Sequence, residues 1–170
     1  MSNTPTVIIT HHAASMPWHT ADDVNKWHYA RWPNFKSERG FWTGYHYVID
    51  KNGQITNTRY EYEEGAHTIG MNLRSIGVCF MGNFDNEYPT GAQIASWDRL
   101  YKELLTRYPS IPVVPHRLYA NKSCHGKLLP DDYFVAASQK IALIKKLEAM
   151  IIRLTALLTK KRQSLREKHV

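Results

Sequence analysis

Nine histidines and two cysteines carry most of the candidate chemistry in this chain of 170 residues. His11 and His12 end a β-branched apolar run, TVIITHH. His116 ends a second run, IPVVPH, and Cys124 follows eight residues later in a stretch without a clear period. Two imidazoles and one thiolate at strand ends and in a loop suit an open tetrahedral zinc site, with three protein ligands and a fourth position left for water. Scattered histidines and a single cysteine serve structure in most chains, so spacing alone leaves both readings open. Neighbouring side chains on an extended strand point to opposite faces, so only one of His11 and His12 is expected to reach a metal. Cys79, inside the apolar run IGVCFMG, reads as a buried inert thiol.

These residues need a scaffold, and the pattern supplies one. TVIITHH reads as a strand. Thr20 followed by Asp23 resembles a capping box ahead of the helix ADDVNKWHYARW. GYHYVID and QITNTRY flank Lys51-Asn52-Gly53, and Asn-Gly is a strong hairpin signal. A polar loop, YEEGAHTIGMN, leads into the buried-type strand SIGVCFMGN. Thr90 opens a helix to about Tyr108, with Ile94, Trp97, Leu100, Leu104 and Leu105 at helical spacing. IPVVPH is a short strand, and from about Asp131 the chain reads as helical nearly to its end. Strands alternating with helices predict an α/β domain with a central mixed sheet flanked by helices, followed by a long C-terminal helix. The division expected is 1–134 for the domain and 135–170 for the helix.

Hydrophobic content of 43% and charged content of 22% describe a globular chain rather than a disordered one. No stretch reaches the roughly 20 apolar residues of a membrane helix. The N-terminal segment lacks a basic start and a long apolar run, so a conventional secretory signal is not expected. Residues 1–139 carry 13 Lys and Arg against 13 Asp and Glu, and residues 140–170 carry 9 against 2. The whole excess of +7 therefore sits in the tail. That excludes a basic nucleic-acid-binding core. Two cysteines do not suggest a disulfide framework.

The segments ITHHAAS, GYHYVIDKNGQI, EGAHTIGMNLRSIGVCFMGN and PHRLYANKSCHGK resemble, in order, the type 2 N-acetylmuramoyl-L-alanine amidases, the family shared by phage lysins and peptidoglycan recognition proteins. The likeness spans roughly residues 7–134. The third segment is the most specific, through His67, Asn72, Ser75, Ile76 and Gly77. The resemblance implies an amidase-like fold and Zn2+ held by His11, His116 and Cys124. It also implies catalytic roles for Tyr45 and Lys122, and a substrate groove lined by His67 and Asn72. The implied activity is hydrolysis of the amide joining N-acetylmuramic acid to L-alanine in peptidoglycan, by a water that zinc activates.

Two features depart from the family pattern or extend beyond it. His125 stands where proline usually follows the ligand cysteine, and it offers a spare imidazole near the metal. Trp18, Trp27, Trp32 and Trp42 are candidates for a glycan groove, with core packing expected for at least two. A Cys ligand with Lys two residues earlier resembles the phage branch. An endolysin of that branch is made in the host bacterial cytoplasm and meets the wall when the membrane is breached. The same features also fit a toxin exported by a dedicated machine. Members without the zinc set bind peptidoglycan without cutting it, and retention of all five metal-site and catalytic residues argues against that reading. A third reading is a partner-binding protein acting through its C-terminal helix. In that helix Ile144, Leu147, Ile151, Leu154, Leu158 and Leu165 form a heptad-like stripe with one gap at Lys161. The stripe is suited to a second copy or to an anionic membrane or lipopolysaccharide surface.

Overall fold

The computed structural model describes residues 2–167, with side chains through Gln163. The β-branched run forms β1 (Val7–His12), and all six residues are buried. Parallel neighbours flank it on both sides, which explains the continuous apolar run in place of alternation. On one side Val7 to His12 pair in parallel with Ser75 to Phe80. On the other, Ile8 to Thr10 pair in parallel with Val113 to Pro115. The remaining strands are β2 (Tyr47–Ile49) and β3 (Ile55–Asn57), followed in the chain by β4 (Ser75–Phe80) and β5 (Val113–Pro115). The mixed sheet has the order β3-β2-β4-β1-β5, with β3 the antiparallel edge.

The Asn-Gly signal marks the β2–β3 hairpin, but the connection is longer than two residues. Asp50 Oδ1 accepts the N–H groups of Asn52 and Gln54 at 2.9 Å each. Gly53 takes φ +82, a left-handed value that favours glycine.

Helices cover both faces of the sheet. On one face, α1 (Ala21–Arg31) packs Ala21 and Val24 against Val48, Cys79 and Met81. On the other, α2 (Gly91–Arg107) buries Trp97, Leu100 and Leu104 against Ile8, Ile49 and Phe80. Its start is fixed by a reciprocal cap, in which Gln93 N–H donates to Thr90 Oγ1 and Thr90 N–H to Gln93 Oε1, both at 3.1 Å.

The last helix, α3 (Tyr133–Glu167), is 35 residues long. Its first turns complete the core: Phe134 stacks on Phe80 at 4.2 Å between centroids, and the Trp97 indole donates to the Phe134 carbonyl at 2.8 Å. From Ala142 to Gln163 every residue is exposed. The Leu165 of the expected stripe lies outside the described side chains.

Candidate metal centre and cleft

The pleat at the end of β1 separates its two histidines. His11 faces the cleft. His12 turns the other way, where its Nδ1 accepts the Phe84 N–H at 2.9 Å. The β1–β5 register pairs Thr10 with Pro115, so the next residue on the β5 side, His116, lies beside His11. Their rings stand 4.4 Å apart between centroids. His116 itself opens a short 3-10 turn rather than ending the strand as the sequence suggests.

Cys124 arrives on a braced loop. The Arg117 N–H donates to the Cys124 carbonyl at 2.6 Å, and its guanidinium donates to the carbonyls of Gly126 and Leu129 at 2.8 and 2.7 Å. From the other side Asp85 accepts from Ser123 Oγ and from the Lys127 N–H, each at 2.8 Å. The His12 N–H points at Cys124 Sγ from 3.4 Å. The ligand-capable atoms of His11, His116 and Cys124 all lie within 4.8 Å of one another. His11 Nδ1 is 3.8 Å from Cys124 Sγ.

Burial sets the protonation of this group. It holds the His11 imidazole well below its usual range, and the neighbouring His67 and His116 push it the same way. His116 is lowered by burial and by the Lys122 charge. Burial raises the Cys124 thiol to about 11, against the pull of the His12 N–H and Lys122. Two neutral imidazoles therefore face a thiol that only a cation would ionise at neutral pH.

Tyr45 lies over this group, with its ring 5.0 Å from that of His11. Burial, then the Cys79 and Cys124 sulfurs, push its phenol well above the ordinary value, so it stays protonated. Cys79 is fully buried on β4, and burial raises its thiol well above normal too. Lys122 is exposed on the rim of the same cleft, a cavity of about 890 Å³ that also reaches His67 and Asn72. Asn72 Oδ1 accepts the N–H groups of His67 and Thr68 at 3.0 and 2.9 Å, so it shapes the loop that carries His67.

His67 does more than line a groove. Its Nδ1 is 3.1 Å from His11 Nε2. The sequence reading missed His28 and Arg31, which with Trp32, one of its groove candidates, form the α1 side of the cleft. Arg31 and Trp32 follow His28 by three and four residues, the spacing of one helix face, and that was the available signal. His28 Nδ1 accepts the Gly44 N–H at 2.8 Å, just before Tyr45 in the chain.

Two expectations need correction. His125 is not a spare imidazole for the metal: its Nδ1 meets Thr10 Oγ1 at 2.6 Å and its Nε2 the Pro130 carbonyl at 3.2 Å. Of the four tryptophans proposed for core or groove, none is buried. Helix α1 enters the core only through Ala21 and Val24, which leaves Trp18 and Trp27 exposed, while Trp32 lines the cleft. The core tryptophan is Trp97.

Fold and site together define an α/β protein with an open three-donor cleft at the carboxyl ends of parallel strands, where such sheets commonly bind ligands. Residues 1–127 match the family model described as N-acetylmuramoyl-L-alanine amidase. The endolysin of Escherichia phage T7 is 30% identical over 124 residues, covering 69% of this chain and 78% of that one. The N-acetylmuramoyl-L-alanine amidase LysC from Clostridium intestinale URNW superposes with a TM-score of 0.68 at 28% identity, over 82% of this chain and 87% of that one. The peptidoglycan recognition protein PGRP-SA of Apis mellifera shares the fold, with a TM-score of 0.63 at 21% identity over 74% and 78% of the two chains. The chain belongs to the N-acetylmuramoyl-L-alanine amidase family.

Proposed function

We propose that this chain is a zinc-dependent peptidoglycan amidase of the phage endolysin type, hydrolysing the bond between N-acetylmuramic acid and the L-alanine of the stem peptide. The observation that carries the reading is the gathering of His11, His116 and Cys124 within 4.8 Å, beneath a cleft that also holds Tyr45 and Lys122. The relatives named endolysin support the biological role. Such a protein is made in the bacterial cytoplasm and meets the wall after the membrane is breached.

The donor set fits zinc. Two ligands of one tetrahedral zinc, at bond lengths near 2.1 and 2.3 Å, stand roughly 3.5 Å apart. His11 Nδ1 and Cys124 Sγ stand 3.8 Å apart, and both imidazoles are held neutral with lone pairs available. When bound, zinc supplies a Lewis acid and an activated water at neutral pH. The chain's own residues do the rest. The Tyr45 hydroxyl, kept protonated by burial, can donate to the amide carbonyl or pass a proton toward the leaving nitrogen. The Lys122 ammonium at the rim stabilises negative charge as it develops on the carbonyl oxygen. His28, Arg31 and Trp32 on the α1 side and the loop around His67 bound the space for the stem peptide and sugar.

The test is mass spectrometry of purified peptidoglycan after incubation with the zinc-loaded protein. Free stem peptides with an L-alanine amino terminus, together with intact glycan strands, are the expected products. Cut glycan chains, or binding without any release, would refute the reading; the second outcome would assign a recognition module.

A further inference from the structure

The exposed two-thirds of α3 has no role in the cleft, and its side chains are sorted by chemistry. At 100° per residue, Leu143, Leu147, Met150, Ile151, Leu154 and Leu158 fall on one face, with Ile144 and Leu157 at its edges. The face sweeps roughly 140° of the helix. Each of these side chains is 44–61% exposed. Lys146, Arg153 and Lys160 line one flank of this face, Lys145 and the exposed Ile152 lie on the far side, and Lys161 and Arg162 close the stripe at its far end. Residues 140–163 carry seven basic side chains and one acid, Glu148, whereas residues 1–139 are balanced. No helix among the described residues is long and apolar enough to cross a membrane.

We propose that α3 lies in the surface of an anionic phospholipid membrane, its apolar face among the acyl chains and its lysines and arginines on the headgroups. Charge decides between this occupant and a second copy of the chain. In a helix pair, the residues flanking the apolar seam must be complementary, basic against acidic. Here Lys146, Arg153 and Lys160 make one flank basic in every copy, and Glu148 is the only acid among residues 140–163 to oppose them. A 140° face is also wider than the seam of a two-stranded coil, and from Leu143 to Leu158 it spans little more than two heptads, below the three or four that make a coiled-coil signal. A lipid surface accepts a broad face and needs no register. Net positive charge confined to this helix is what attracts it to anionic headgroups. The inference stands independently of the amidase reading.

The experiment uses the full chain and sedimentation with vesicles of phosphatidylethanolamine and phosphatidylglycerol, against pure phosphatidylcholine. Binding to the anionic vesicles should be at least tenfold tighter and should weaken as salt rises. Two full-length variants separate the contributions: Leu147→Asp with Ile151→Asp and Leu154→Asp, and Lys145→Glu with Arg153→Glu and Lys160→Glu. All six positions are exposed, so circular dichroism should report intact folds, and each variant should lose at least tenfold in vesicle binding. Equal binding to neutral and anionic vesicles, or no binding, would overturn the proposal. So would binding to lipopolysaccharide alone, or a wild-type dimer in solution that the Asp variant dissolves.

Discussion

His11 Nε2 lies 3.1 Å from His67 Nδ1, and this contact begins a chain of hydrogen bonds that runs back to β4. The Met71 carbonyl can only accept, so Ser75 Oγ donates to it at 2.6 Å. Ser75 Oγ then accepts from His67 Nε2 at 3.4 Å, which leaves His67 Nδ1 as an acceptor shared by His11 Nε2 at 3.1 Å and Thr68 Oγ1 at 3.0 Å. A proton on His11 Nε2 suits this chain and leaves the lone pair on Nδ1, the atom facing Cys124. Two glycines make room for the relay: a Cβ on Gly77 or Gly65 would stand 2.5 or 2.6 Å from the His67 ring.

The first prediction concerns that relay. His67→Ala should weaken zinc binding about 10- to 100-fold, the usual cost of losing a partner that orients a ligand histidine. Gly77→Ala should weaken it as well, by displacing the ring. Competition with a chromophoric chelator measures both. Unchanged affinity in His67→Ala would show that the tautomer needs no such support.

Cys124→Ser should lose most bound metal, because a hydroxyl is a far poorer donor to zinc than a thiolate. His12→Ala should keep its metal while losing stability, about 1–3 kcal/mol, because the buried Phe84 N–H loses its acceptor. Metal analysis and thermal melts on the two proteins separate these roles. Full zinc occupancy in Cys124→Ser would remove the cysteine from the ligand set.

Tyr45→Phe and Lys122→Ala should retain zinc and fold, yet release soluble peptide roughly 10²-fold more slowly, as expected for losing a proton donor or an oxyanion-stabilising charge. Turnover on intact walls is the measurement. A variant as fast as wild type would have no catalytic part.

Much of this arrangement is legible in the sequence because it follows from strand chemistry. Parallel, doubly buried β1 and β4 announce themselves as apolar runs, and the pleat alone separates His11 from His12. The Thr90 cap and the spacing of Trp97, Leu100 and Leu104 define α2 with little help from tertiary contacts. The fate of His125 was not legible, since it depends on Thr10 and Pro130 reaching it from distant segments. Nor was the pairing of His67 with His11, which a loop of irregular backbone brings together across 56 residues. The expected core packing of at least two of the four tryptophans failed because α1, which carries Trp27, enters the core only through Ala21 and Val24, whereas Trp32 lines the cleft.

The last prediction concerns acid stability. His46 is buried with both ring nitrogens committed: Nδ1 accepts the Gly77 N–H at 3.0 Å, and Nε2 donates to the Glu63 carbonyl at 3.0 Å. A second proton on Nδ1 would confront that N–H. Burial, aided by the Arg59 charge, accordingly lowers His46 to about 4, despite the opposing Glu63 carbonyl. Burial lowers His28 and His125 to about 4 as well. Each folded value lies below the unfolded value of about 6.5, so between these limits the unfolded chain binds more protons. Stability should therefore be full above about pH 6.5 and fall progressively toward pH 4. His46→Gln, which offers an acceptor and a donor but no titrating group, should be less stable at pH 7.5 by about 1–2 kcal/mol. It should also lose less on acidification than the parent protein. Melting temperatures of metal-free protein from pH 4.5 to 7.5 give the comparison. Parallel curves for the two proteins would show that His46 contributes nothing to the acid sensitivity, leaving it to the other buried histidines.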